Sequence, residues 1–139
     1  MNNESKEFLR FLTTKIYAVD FDNTLSLGVP YPECGNPNWA LINFLTEEQR
    51  KGHKVILWTC RTGRNLKAAV DWCEGVGLIP DAVNENIPEM IEKYGSDPRK
   101  VYAHKYIDDA SVAPAMITNP GKRRRQYVED FKPREARII

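Results

Sequence analysis

Long hydrophobic runs are missing from this chain. Nothing in its 139 residues approaches the roughly 18 consecutive apolar residues that a membrane span needs, so no membrane partner is expected. Paired cysteines are missing too. Cys34, Cys60 and Cys73 are odd in number and lack CxxC spacing, which argues against a disulfide framework or a zinc site and for a reducing, cytoplasmic setting. Charge of one sign is scarce: 20 Lys and Arg against 19 Asp and Glu leave +1. No global field therefore selects a partner. There is no internal repeat, and the opening stretch MNNESKEFLRFL carries acidic residues and no apolar signal core, so no secretion signal is expected.

What is present is enough for one ordinary globular domain: 42% of residues are hydrophobic and 28% charged. The chain is organised around Ile16-Tyr17-Ala18-Val19-Asp20-Phe21-Asp22-Asn23-Thr24-Leu25. Ile16 to Val19 suit a strand buried on both faces of a parallel sheet. Asp20 and Asp22 follow as the apolar run stops. If the chain turns after Phe21, both carboxylates lie at the carboxyl end of that strand, where open α/β sheets bind ligands. Two carboxylates about 4 Å apart repel by roughly 4 kcal/mol at an effective dielectric near 20. A divalent cation, a lysine or a proton would offset that.

Further along, a polar stretch over 2–14 suggests a loose helix. Turn-formers from Gly28 to Pro37 mark a loop, and a helix follows to Gly52 with Trp39, Ile42 and Leu45 on one face. Val55 to Trp58 is a second buried strand. A helix over about 65–75 comes next, then a short strand over 81–84, a helix over 88–94 and a strand over 101–107 that ends in Asp108-Asp109. Strands alternating with helices mean βαβ units and a parallel sheet. Right-handed crossovers then bring Asp20 and Asp22, Thr59, Asn84, and Asp108 and Asp109 to one rim.

These residues resemble the haloacid dehalogenase (HAD) superfamily of phosphohydrolases. DFDNTL is similar to its DxDxT motif, Trp58-Thr59 to its second motif, and Tyr106-Ile107-Asp108-Asp109 to its fourth. The segments ILWTCRTG, Ala82 to Pro88 and Tyr94 to Ala103 are similar to a small, capless subgroup of short hydrolases. The chain departs from the subgroup at His104-Lys105, where an acidic–apolar pair is expected, and at Ala110, where an arginine is more usual. The resemblance implies a single Rossmann-like three-layer α/β domain with a mainly parallel central sheet and no cap domain. Its expected divisions are an N-terminal extension over 1–14, a catalytic domain over 15–120 and a basic tail over 121–139. Without a cap, the loop over 26–36 is the expected lid.

The chemistry the resemblance implies is phosphomonoester hydrolysis. Asp20 would attack phosphorus and form an aspartyl-phosphate. Asp22 would act as general acid and then base. Mg²⁺ would be held by Asp20, the Asp22 backbone carbonyl and Asp108, with Asp109 nearby. Thr59, with Cys60 and Arg61 beside it, would bind the substrate phosphate. A lysine would screen the nucleophile: Lys100 by resemblance, with Lys105 as rival. The substrate would be a small phosphomonoester. The 121–139 segment carries net +4 and the remainder −3, so a nucleic-acid end could serve instead, held by the tail. A solvated tail is the plainer reading of that run. A third reading is a binding module that keeps the fold without turnover.

Overall fold

A strand has no backbone hydrogen bonds within itself, so four of them join into one layer by pairing with their neighbours. The computed structural model describes residues 2–118. In chain order the elements are α1 (Asn3–Thr13), β1 (Ile16–Val19), β2 (Ser26–Leu27), β3 (Asn36–Pro37), α2 (Trp39–Arg50), β4 (Lys54–Leu57), α3 (Gly63–Gly75), β5 (Ala82–Val83), α4 (Pro88–Tyr94), β6 (Lys105–Ile107) and α5 (Pro114–Thr118). The chain forms two units, Met1–Asp109 and Ala110–Ile139. The break falls at Asp109, not near residue 120, and α1 belongs to the first unit and is not an extension apart. The second unit contributes α5. The basic tail expected over 121–139 lies outside the described residues.

In the first unit the sheet order is β5-β4-β1-β6, all parallel. β1 is buried at all four positions because helices cover both faces. Its side chains alternate between two cores. Tyr17 and Val19 join Val55, Leu57 and residues of α2 and α3, namely Ile42, Leu45, Ala69 and Cys73. Ile16 and Ala18 join Ile56, Ala82, Met90 of α4 and Val101, with Phe11 of α1 packed against them. This is the three-layer α/β arrangement, with α2 and α3 on one side and α1 and α4 on the other. Each fully buried leucine, Leu25, Leu45 and Leu57 among them, contributes roughly 1.5–3 kcal/mol.

Local chemistry sets the helix ends. Asn38 accepts from the Leu41 amide to cap α2. Pro88 opens α4, and Gly95 ends it with φ 71°, a left-handed position that glycine takes without strain. On α2, Ile42 and Leu45 face inward as their spacing predicts, but Trp39 is 52% exposed. The last strand is shorter than its apolar run suggests. Lys105–Ile107 pairs in register with β1, and the His104 amide just before it donates to the Ile16 carbonyl; upstream, the Tyr102 amide goes to Asn86 Oδ1 instead.

A buried pair ties α2 to the sheet. The Tyr17 hydroxyl donates to Glu48, whose side chain also meets Lys51. Burial, with Glu48 beside it, pushes the Tyr17 pKa up to about 12, so the phenol stays a donor. The Tyr17 bond, more than Lys51, draws the Glu48 carboxyl below its ordinary value. A folded-state pKa below the unfolded one adds stability above the unfolded value and loses it as pH falls through the folded value. Acid titration of wild type and Glu48→Gln, followed by circular dichroism, should therefore show a steeper acid loss for wild type. Parallel acid limbs would refute this role.

Candidate active site

The order β5-β4-β1-β6 reverses direction at β1: the chain first builds outward to β4 and β5, then returns to β6 on the other side. Doubly wound sheets open a crevice at such a point, at the carboxyl ends of the strands. Two acidic segments reach it. The Asp20 amide donates to the Ile107 carbonyl, so the tip of β1 lies directly beside the tip of β6. Asp20, Asp108 and Asp109 consequently place carboxylate oxygens within 4.8 Å of one another. Asp20 is buried, Asp109 half-buried and Asp108 exposed. At that spacing each pair of charges repels by about 3 kcal/mol with an effective dielectric near 20. The trio thus favours a positive charge among its oxygens.

Beyond Asp20 the chain turns tightly. The Phe21 carbonyl accepts from the amides of Thr24, Leu25 and Ser26. Asn23 takes φ 60°, which asparagine tolerates better than most residues. Phe21 turns into the core, edge-on to Trp72 at 5.2 Å. The turn buries Thr24, whose hydroxyl donates to Asp20 Oδ2 at 3.4 Å and accepts from the Asp109 amide at 3.2 Å. One hydroxyl thereby links the two acidic tips. Sequence reasoning quoted Thr24 within the DFDNTL motif but gave it no task. The motif's threonine was the available signal.

Asp22 faces a different partner from the acidic trio. Its two carboxylate oxygens receive Arg61 Nε at 3.0 Å and Nη2 at 2.7 Å. Arg61 is only 1% exposed, against the expectation that it would reach a substrate phosphate. Its remaining donors go to the carbonyls of Pro32, Glu33 and Asn65. Phe21 and Tyr31 flank the guanidinium at 4.7 and 5.2 Å. The Asp22 hydrogen bond raises the Arg61 pKa, partly opposed by burial. A guanidinium with every donor engaged inside the protein has none to spare for a phosphate. Its place is structural support for Asp22 and for the loop before α2.

That loop is well anchored for an expected lid. Besides Arg61, Trp72 Nε1 donates to the Gly35 carbonyl, the Gly35 amide to Ser26 Oγ, and Asn65 to the Tyr31 hydroxyl. The strands β2 and β3 close it as an antiparallel hairpin, with a cis peptide at Tyr31-Pro32.

Thr59 lies just past β4, half-buried, where the Trp58 amide donates to the Val19 carbonyl. Its amide donates to Asn84 Oδ1 at 2.8 Å, and its hydroxyl accepts from the Arg61 amide at 3.1 Å. The hydroxyl proton remains available to donate. Asn84 itself sits at φ 54° at the tip of β5. Cys60 is exposed.

Neither candidate lysine forms an ion pair with the four aspartates among the described residues. Lys100 is exposed, its ammonium 5.9 Å over the Tyr106 ring. The segment that carries it is fixed by Asn86, whose side-chain amide donates to Asp97 and the Pro98 carbonyl. Lys105 pairs in register with Tyr17, three residues short of Asp20. It lies about 10 Å down the strand from the site. The two histidines sit at the opposite rim, where the Nδ1 atoms of His53 and His104 accept from the amides of Lys15 and Ile16.

Fold and site together define an α/β protein with an acidic cluster at its topological switch point. Compared with protein-family models and with curated proteins, the chain matches none. Among solved structures it is similar to a conserved protein coded by a locus of Bacteroides thetaiotaomicron. The two share 31% identity at a TM-score of 0.61, over 87% of this chain and 94% of the other. The chain belongs to the same family as that protein. No helix among the described residues is long and apolar enough to cross a membrane.

Proposed function

We propose that the chain is a Mg²⁺-dependent phosphomonoester hydrolase of the haloacid dehalogenase type, with Asp20 as nucleophile. The observation that supports this most is the meeting of Asp20 with Asp108 and Asp109 across two strand tips, oxygens within 4.8 Å. A donor set made only of carboxylate oxygens fits a hard divalent cation. Asp20, Asp108 and the Asp22 carbonyl would hold it, with Asp109 alongside. When bound, such an ion neutralises charge on the phosphoryl oxygens.

The chain's own groups do the rest. An Asp20 oxygen attacks phosphorus in line, the ester P–O bond breaks, and Asp22 gives the departing oxygen its proton. Asp22, now a base, takes a proton from water as that water attacks the aspartyl-phosphate. Inorganic phosphate leaves and Asp20 is regenerated. The Thr59 hydroxyl donates to a phosphoryl oxygen throughout. Three free cysteines accord with a reducing, cytoplasmic setting. The substrate in this reading is a small phosphomonoester.

A panel of phosphomonoesters with and without Mg²⁺ tests the proposal. Metal-dependent release of phosphate, lost in Asp20→Asn, supports it; equal silence of both proteins on every ester would leave a non-catalytic binding module. The screening lysine is tested in the same assay. Lys100→Met should lower kcat by about 10²-fold, the usual cost of one charge-stabilising donor, while Lys105→Met leaves it nearly unchanged. The reverse pattern would transfer the role to Lys105.

A further inference from the structure

A fully enclosed arginine gripping an acid at a candidate active site calls for a reason, since burying a charge is costly unless it is paired. We infer that Arg61 is the positioning residue for Asp22, fixing the acid's direction and tying it to the loop before α2. This rests on the reading of Asp22 as the general acid and base. Three observations carry it. The fork contact is bidentate, 3.0 Å from Nε and 2.7 Å from Nη2, and a bidentate pair fixes the plane of the carboxylate as well as its distance. The guanidinium cannot drift, because Phe21 and Tyr31 flank it at 4.7 and 5.2 Å. Its other donors seize the carbonyls of Pro32, Glu33 and Asn65, so the loop, the start of α3 and Asp22 share one anchor.

The fork takes two of the roughly four lone-pair sites that a carboxylate offers. The Asp22 side chain is 23% exposed, so solvent reaches it. Lysine could not replace arginine here: an ammonium is a point charge without the planar fork.

The experiment compares two esters of opposite demand. An alkyl phosphate such as glycerol phosphate needs its leaving oxygen protonated; dinitrophenyl phosphate does not. Arg61→Lys and Arg61→Met should lower kcat/KM on the alkyl ester by about 10²-fold, the scale of general-acid catalysis. The kcat/KM of the dinitrophenyl ester, which reports phosphoryl transfer before Asp22 is needed as a base, should change little, while kcat on both esters falls with the hydrolysis step they share. Equal losses of kcat/KM on both esters, or no loss on either, would overturn the positioning role while leaving the phosphatase reading intact. Wild-type silence on both esters would remove that reading and this inference with it. If both Arg61 variants fail to fold, Asp22→Glu decides. Moving the carboxylate one methylene off the fork should cost the alkyl ester selectively, and unchanged selectivity contradicts the inference.

Discussion

Asp20→Asn should lower kcat by at least about 10⁴-fold, the scale seen when an enzyme loses its nucleophile, without lowering thermal stability. The amide has the shape of the acid and can still accept from the Thr24 hydroxyl, so the turn after β1 has no cause to rearrange. What it lacks is a nucleophilic oxygen and a charge. Removing that charge also relieves Asp20 of the neighbouring carboxylates of Asp108 and Asp109. Stability should therefore hold or rise, the pattern of a residue kept for function at some cost to the fold. A variant that is inactive and also poorly folded would say that Asp20 is structural. One that retains turnover would say that another group attacks phosphorus.

Asp108→Ala should raise the Mg²⁺ concentration for half-maximal activity by at least about 10–100-fold, the range found even for groups one step removed from a metal. Asp108 is the exposed member of the trio, so its truncation opens no cavity in the core. Asp109→Asn should shift the same midpoint less. Its side chain is half-buried, and its backbone amide, which bonds Thr24, survives the substitution. A magnesium titration of dinitrophenyl phosphate turnover reads both. An unchanged midpoint in Asp108→Ala would remove that residue from the metal site.

Much of the scaffold was legible because it follows from periodicity. β1 and, after Lys54, β4 are continuous apolar runs, as doubly covered strands must be, and α4 is bracketed by Pro88 and Gly95. Recurrence of polar residues at strand ends places Asp20, Asp108 and Asp109 on one rim, where their oxygens meet. Other features left no periodic trace. The β2–β3 hairpin has two residues per strand, too few to alternate. Val101 to Ala103 is apolar enough for a strand, but the Tyr102 amide is claimed by Asn86, and contact with β1 begins only at the His104 amide. Arg61 is expected at a substrate phosphate; its burial depends instead on Asp22 and the carbonyls of Pro32 and Glu33, all distant in sequence, with the Asn65 carbonyl four residues on. No local pattern encodes such a meeting.

The proposed reaction turns on a covalent bond between Asp20 and phosphorus. Wild-type protein turning over dinitrophenyl phosphate in Mg²⁺ is quenched in acid and treated with borohydride, which reduces an acyl phosphate to an alcohol, and the peptide containing Asp20 is weighed. The predicted result is homoserine in place of Asp20, formed only when both substrate and metal are present. An active enzyme whose Asp20 remains aspartate, with the reduced residue found elsewhere or nowhere, would contradict the account.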